Sequence, residues 1–424
     1  MRTSPGPDSS ALRDDPKAVF LTLLARELHR AGVASDQLEQ TLGAAAGALG
    51  LQVEIFALPT NITIAIGPRY SQQVVMFRLQ PGRVNLRKLA LLNEVYDGLQ
   101  TGAIDLPMAI DHLRQIDRRC PPPPVPTAIA ANALIALGVS IILGGGVNEM
   151  IVAASIGATT GVIAAIATRV AAVDRLFEVI AAFVGTLVVA GYTHFIAPAN
   201  LYISIVSGVV VLLPGYSLTL ALHELANQDL IAGTARLGRV LMILLALGCG
   251  ALLGFAVAGP HFLGSAAVRP HPVSPVYWSA AVVLMSLGIS VDLDARLRDF
   301  GWVFAASFLA IFSSKVFGAL PFHQITAFAA AFVCGMVANL GARFLRVPQP
   351  VFLVPALIVL VPGSLSYESI LYVFAHQNFN DAAALGVDAI VAGILIVAGL
   401  LLSQLLVPAH PLSMGRLPGG HGQR

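Results

Sequence analysis

Charge is scarce in this 424-residue chain: Lys, Arg, Asp and Glu together make up 11%, where a soluble domain carries about a quarter. That excludes an ordinary water-soluble enzyme. Cysteine is scarcer still. Cys120, Cys249 and Cys334 are the three present, with no CxxC pair and no even-numbered framework, so neither a disulfide scaffold nor a zinc site is supported. The net charge of +2 comes without a basic stripe interleaved with aromatics, which argues against nucleic acid. No GxSxG, P-loop or HExxH occurs, so no cofactor, metal or nucleotide chemistry is expected. A secretory leader is also missing, because the apolar run 18–25 is short and Arg26 and Glu27 follow it. The N-terminus is therefore expected in the cytoplasm.

What the chain has is apolar sequence, 56% of it, unevenly relieved by charge. The first 126 residues hold 13 Lys/Arg and 12 Asp/Glu; the remaining 298 hold 12 and 11. A polar domain thus precedes an integral membrane part. Residues 1–16 read as a disordered tail rich in Pro, Ser and Asp. Over 17–120 the pattern predicts a small α/β domain. Helices are expected over 18–31 and 35–49, the second capped by Ser35, then three short strands over 52–57, 62–66 and 73–79. Apolar stripes at Leu86, Leu89, Leu92, Val95 and Leu99, and at Leu106, Ile110, Leu113 and Ile116, predict two more helices. The only histidines here, His29 and His112, fall on expected helix surfaces, so Asp111-His112 reads as a helix face and not as half a catalytic pair. Residues 121–126 form a stiff Pro-rich linker.

A hydrocarbon core of about 30 Å needs roughly 17–25 apolar residues per helix. Ten such runs lie near 127–145, 149–169, 177–195, 199–216, 236–259, 275–292, 302–319, 324–342, 350–367 and 383–408. Arg169, Arg175, Arg236, Arg239, Arg296, Arg298, Arg343, Arg346, Arg416 and Arg424 fall on one side, against Arg269 and Lys315 on the other. By the positive-inside rule both termini, including the tail 409–424, face the cytoplasm. The sequence also echoes itself. Residues 181–185 (AAFVG) match 330–334 (AAFVC), and LLPG at 212–215 matches LVPG at 360–363. Two units of five helices, 127–260 and 275–408, are expected. An odd number of spans per unit turns the second upside down, a common build of secondary transporters. The fold class is thus a polytopic α-helical membrane protein of about ten transmembrane helices in two inverted five-helix repeats, with a small N-terminal α/β cytoplasmic domain.

Residues 57–64 (ALPTNITI), 84–90 (VNLRKLA), the pre-membrane prolines, 213–219 (LPGYSLT), Glu224-Leu225, 232–237 (AGTARL) and 361–363 (VPG) occur in that order. The ordered set resembles the threonine/serine exporter (ThrE) family over about residues 17–408. The resemblance implies an inner-membrane secondary exporter of L-threonine and L-serine driven by the proton-motive force. It also leaves two alternatives. Relatives with separate units resemble dicarboxylate (succinate) exporters, and a membrane-anchored enzyme would use the N-terminal domain. Protons and the lipid bilayer are the other implied partners; a homo-oligomer stays open.

Pro214-Gly215 and Pro362-Gly363 should break or kink their spans, because Pro lacks an amide donor and Gly relaxes the backbone. Backbone groups freed at membrane depth persist only when buried in protein or lining a watery cavity. An amino-acid zwitterion can use them, with Ser217, Thr219, Ser364 and Ser366 adding hydroxyls. Proton coupling needs a titrating group. Asp388, flanked by apolar residues within the last span, leads, and Glu224 and Glu368 follow. Arg239, 149 residues before Asp388, is its candidate charge partner or a cytoplasmic anchor. On this reading Asp388→Asn abolishes proton-coupled export.

Overall fold

Local signals set the N-terminal elements. In the computed structural model, which describes residues 15–80, 82–259, 274–319, 325–345, 347–360, 363–376 and 379–408, helix α1 (Pro16–Arg30) opens on Asp15, whose carboxylate accepts the Lys17 amide at 2.9 Å. Helix α2 (Ser35–Leu49) closes on left-handed Gly50. Ser35 does not cap it as expected. The N-cap is Ala34, with no side-chain cap, and the Ser35 amide points out of the domain. Strands β1 (Val53–Leu58), β2 (Asn61–Ile66) and β3 (Gln73–Arg78) form an antiparallel meander, with Val53 opposite Ile66 and Ile66 opposite Gln73. Alternation sends Ile62, Ile64 and Ile66 into the core. Helices α3 (Leu86–Gln100) and α4 (Leu106–Arg119) start on Asn85 and Asp105 caps and bring Leu86, Leu92, Leu113 and Ile116 onto the same core. Buried Lys88 crosses it, bonded to Glu27 of α1 at 2.7 Å and to Asp117 of α4. Burial opposes the Lys88 ammonium, but the two carboxylates outweigh that and raise its pKa.

The rest of the described chain is helical: α5 (Val125–Ile142), α6 (Val147–Ala167), α7 (Ala171–Arg175), α8 (Phe177–Phe195), α9 (Leu201–Gly208), α10 (Gly215–Ala226), α11 (Leu230–Ala258), α12 (Pro275–Asp292), α13 (Phe300–Gly318), α14 (Thr326–Leu345), α15 (Gln349–Leu360), α16 (Gly363–His376) and α17 (Phe379–Leu406). Among the described residues seven segments are long and apolar enough to cross a membrane, and an eighth is the bent pair formed by α9 and α10. Helix α12 and helix α15 are apolar but shorter. This is a polytopic helical membrane protein.

The ten expected spans change at the fourth. A single helix ending near residue 216 does not form. Helix α9 stops after eight residues, a 3-10 turn (Val210–Leu212) follows, and α10 leaves Pro214 at a bend of 54° to run on to Ala226. The Pro-Gly pair therefore interrupts a span instead of ending it. Helix α15 and helix α16 flank residues 361–362 in the same way, although Pro362 itself lies outside the described residues.

Packing follows a spacing of 149. A Cβ on Gly250 of α11 would strike the Val179 carbonyl of α8, and one on Gly399 of α17 would strike the Phe328 carbonyl of α14. Only glycine lets these helices cross so closely. Helix α10 also packs on α17, while α16 packs on α11. The N-terminal core is continuous with Ile289 and Leu293 of α12 and Val303 of α13. The domain rests on α10 and on the α12–α13 turn, and it lines a small hollow with Pro348 and Pro350 at the start of α15.

Candidate functional site

The two Pro-Gly breaks meet. A Cβ on Gly363 would lie 3.3 Å from the Gly215 Cα and 3.4 Å from the Leu213 Cβ, and both glycines are buried. Helices α10 and α16 therefore begin side by side, each N-terminus against the other's first residue. The first-turn amides of α10 have no side-chain cap, and four such amides per helix lack an intrahelical acceptor. Two positive helix ends at one buried point disfavour each other and favour an anion between them.

Buried hydroxyls lie one turn past each break. Thr219 in α10 is buried, its Oγ1 without a partner among the described residues. Tyr367 in α16 is fully buried with the same deficiency and shares a cluster with Ile205, Val206 and Val209 on the approach to the first break. Ser204 and Ser207 of α9 are likewise fully buried and unpartnered. Such groups normally find partners, so Thr219 and Tyr367, each one turn past its break, and Ser204 and Ser207 in α9 are unfilled polar positions inside an apolar bundle among the described residues. Tyr367, Ser204 and Ser207 escape a reading of the sequence, because nothing in an apolar run shows which side a lone hydroxyl faces.

A cleft opens one turn along α10 from the junction, beside Thr219. Tyr216, Thr219 and His223 of α10, Leu353 and Leu357 of α15 and Leu400 of α17 form its walls; Gly32, Val33 and Gln37 of the N-terminal domain close its top. Beside it, Glu224 is fully buried and held by Arg236 of α11 through two bonds, Nε to Oε2 at 2.9 Å and Nη2 to Oε1 at 2.8 Å. Its Oε1 also accepts the Ser35 amide at 3.4 Å. Across the same contact Asp36 meets His223 at 3.4 Å and Asn227 at 3.1 Å. Burial works to raise the Asp36 carboxyl, but His223 and Asn227 outweigh it and hold the group below its usual range.

The expected site residues divide. Pro214, Gly215, Thr219 and Gly363 are buried at the junction, with Ser217, Ser364 and Ser366 half-buried in the first turns of α10 and α16. Glu368 is half-buried one residue beyond Tyr367 and makes no ion pair among the described residues. Asp388 is not brought to the junction. The face of α17 turned inward carries Ala389, Ile396, Val397 and Leu400, while Asp388 is exposed beside Val387, Val391 and Ile394. At 28 residues α17 is about 42 Å long, some 12 Å more than the hydrocarbon core of about 30 Å. Asp388 can thus sit at headgroup depth. Arg239 is exposed in the third turn of α11 and does not pair with Asp388.

In the N-terminal domain His29 is buried, not on the surface as expected. Its Nε2 lies 2.9 Å from the Pro59 carbonyl oxygen, and burial lowers its pKa. Asp111 accepts from Gln115 on its own helix, so Asp111-His112 remains a helix face.

Residues 19–258 match the ThrE family model, described as "Putative threonine/serine exporter", and residues 277–406 match a second model described as "Threonine/Serine exporter, ThrE". The chain is 24% identical over 352 residues to the "Probable threonine/serine exporter" of Mycobacterium tuberculosis, covering 80% of this chain and 66% of that protein. It is also similar to the "Pheromone-regulated membrane protein 10" of Pichia sorbitophila, at 22% identity over 82% of this chain and 36% of that protein. With the protein of the same name from Eremothecium gossypii it shares 23% identity over 88% of this chain and 51% of that one. The chain thus spans only about a third to a half of these two fungal relatives. No solved structure matches it.

Proposed function

The chain belongs to the threonine/serine exporter family, and on that premise we propose that it is a secondary active exporter of L-threonine and L-serine that works by proton antiport. The observation that carries this reading is the contact of Gly215 with Gly363 beside unpartnered buried hydroxyls. The substrate carboxylate binds the converging amides of α10 and α16. Its hydroxyl bonds Thr219 or Tyr367, and its ammonium takes carbonyls released by the breaks. Pro214, Ser217, Ser364 and Ser366 shape and line the site; Pro362, outside the described residues, is proposed with them on its sequence position alone.

The 149-residue spacing of the Gly250 and Gly399 crossings supports two inverted five-helix units, with the junction at their interface. The arginine distribution supports cytoplasmic termini, and inner-membrane location rests on the family. The N-terminal domain lies against three segments, near 227, 294 and 348, that this distribution puts on one side. For proton coupling Glu368 is the first choice, since it has no cationic partner among the described residues. Glu224 is tied to Arg236, and Asp388 faces outward.

One observation favours the dicarboxylate alternative: two helix N-termini can serve two carboxylates. Flux into inside-out vesicles decides. Serine and threonine accumulation driven by an acid lumen supports the proposal, succinate accumulation alone replaces the substrate, and no flux of any of the three in vesicles containing inserted protein rejects it.

A further inference from the structure

The N-terminal domain is docked through two unlike contacts. The first is a clamp. Amides of Leu86 and Arg87, at the start of α3, donate to the carbonyls of Leu293 and Asp294 at the end of α12, at 2.8 and 3.1 Å. The positive end of one helix meets the negative end of the other. Asn85 and Arg87 bond the Asp294 carboxylate, Arg83 bonds Asp292, and Glu94 takes both Arg296 and Arg298. The second contact is sparse: Asp36 with His223 and Asn227, and the long bond from the Ser35 amide to Glu224. It leaves Asp36 Oδ1 and His223 Nδ1 buried without partners, a cost carried by the docked state. Gln37, next to Asp36, and Gly32 and Val33, just before α2, roof the cleft on the latch side, while Val84 and Leu89 line it on the clamp side.

We propose that the N-terminal domain is the inner gate of the cleft, clamped on α12 and latched to α10 by the Asp36–His223 contact, and that the cleft opens when α2 lifts from α10. The gate deepens the exporter reading and rests on it only for the direction of traffic. Asp36 Oδ2 lies 3.4 Å from His223 Nε2, and the Asn227 amide nitrogen lies 3.1 Å from both partners, so one small cluster ties α2 to α10.

The test measures access instead of transport. In full-length protein carrying Cys120→Ser, Cys249→Ser and Cys334→Ala, a Leu357→Cys reporter on the cleft wall is labelled in inside-out vesicles with a membrane-impermeant maleimide. Asp36→Asn and His223→Gln should each raise the labelling rate by about tenfold over the protein with the latch intact. Hydrogen exchange gives the second readout: in Asp36→Asn the amides of α2 should exchange faster while those of α3 stay protected. Unchanged labelling in both variants overturns the gate. Equal loss of protection in α2 and α3 overturns the division into clamp and latch. Absence of serine and threonine flux in the unsubstituted protein would defeat the exporter reading and leave the labelling result standing.

Discussion

The two interrupted segments begin alike and are supported differently. In the first, α10 leaves its break with Thr219 facing the cleft, and five residues on Glu224 is locked by Arg236 while His223 meets the N-terminal domain. In the second, α16 leaves its break with Tyr367 buried, and the next residue, Glu368, has no Arg or Lys partner among the described residues. A carboxylate fixed by a bidentate guanidinium is held in one charge state, whereas one without a cation is free to take up a proton. On the proposed reading the first segment holds and gates, and the second exchanges the proton.

The largest effect should come from filling the point the segments share. Gly363→Leu or Gly215→Leu forces the breaks apart and should lower serine flux about a hundredfold, with insertion intact by protease mapping. Arg236→Ala leaves a buried carboxylate unpaired and should cost about 3–5 kcal/mol of stability, read as a fall in melting temperature. Replacing both partners, Glu224→Gln with Arg236→Met, should restore most of it. If the segments divide their tasks as proposed, Glu368→Gln abolishes accumulation driven by a pH gradient but keeps serine–serine exchange, while Glu224→Gln keeps both. Loss of the gradient response in Glu224→Gln instead would reverse the comparison. Tyr367→Phe and Thr219→Val each remove one hydroxyl and should raise KM about five- to tenfold. Asp388→Asn should change flux by less than about twofold, the size of a surface substitution, against the near-complete loss expected from its place in the sequence.

That reversal at Asp388 shows where sequence reasoning stops. In the N-terminal domain the meander was legible because each strand alternates and the turns carry Gly and Pro. Observed strands differ from the expected ones by about a residue at their ends. Helix α17 offers no such contrast. It is apolar on every side, so periodicity cannot say whether Asp388 faces the bundle or the outside. The same blindness hid the burial of His29, whose partner is a carbonyl thirty residues away, and the outward task of the Ser35 amide, whose acceptor lies 189 residues on. Pro214-Gly215 was legible as a disruption but not as the middle of a span. Pro and Gly remove hydrogen bonds and restraints locally, and the helix resumes only because α10 finds α11 and α17 to pack against.

Composition by itself determined that this chain lives in a membrane behind a polar N-terminal domain, because an 11% share of charge concentrated in the first third admits no other solvent. Local chemistry determined where helices start, where strands turn and where two spans must break. Tertiary structure decided that the two breaks touch, that Glu224 belongs to Arg236, that Asp388 looks outward and that α2 covers the cleft. Each of these depends on which residues distant in sequence are brought within a few ångströms of one another, and in a uniformly apolar helix only packing against the neighbouring helices chooses the face.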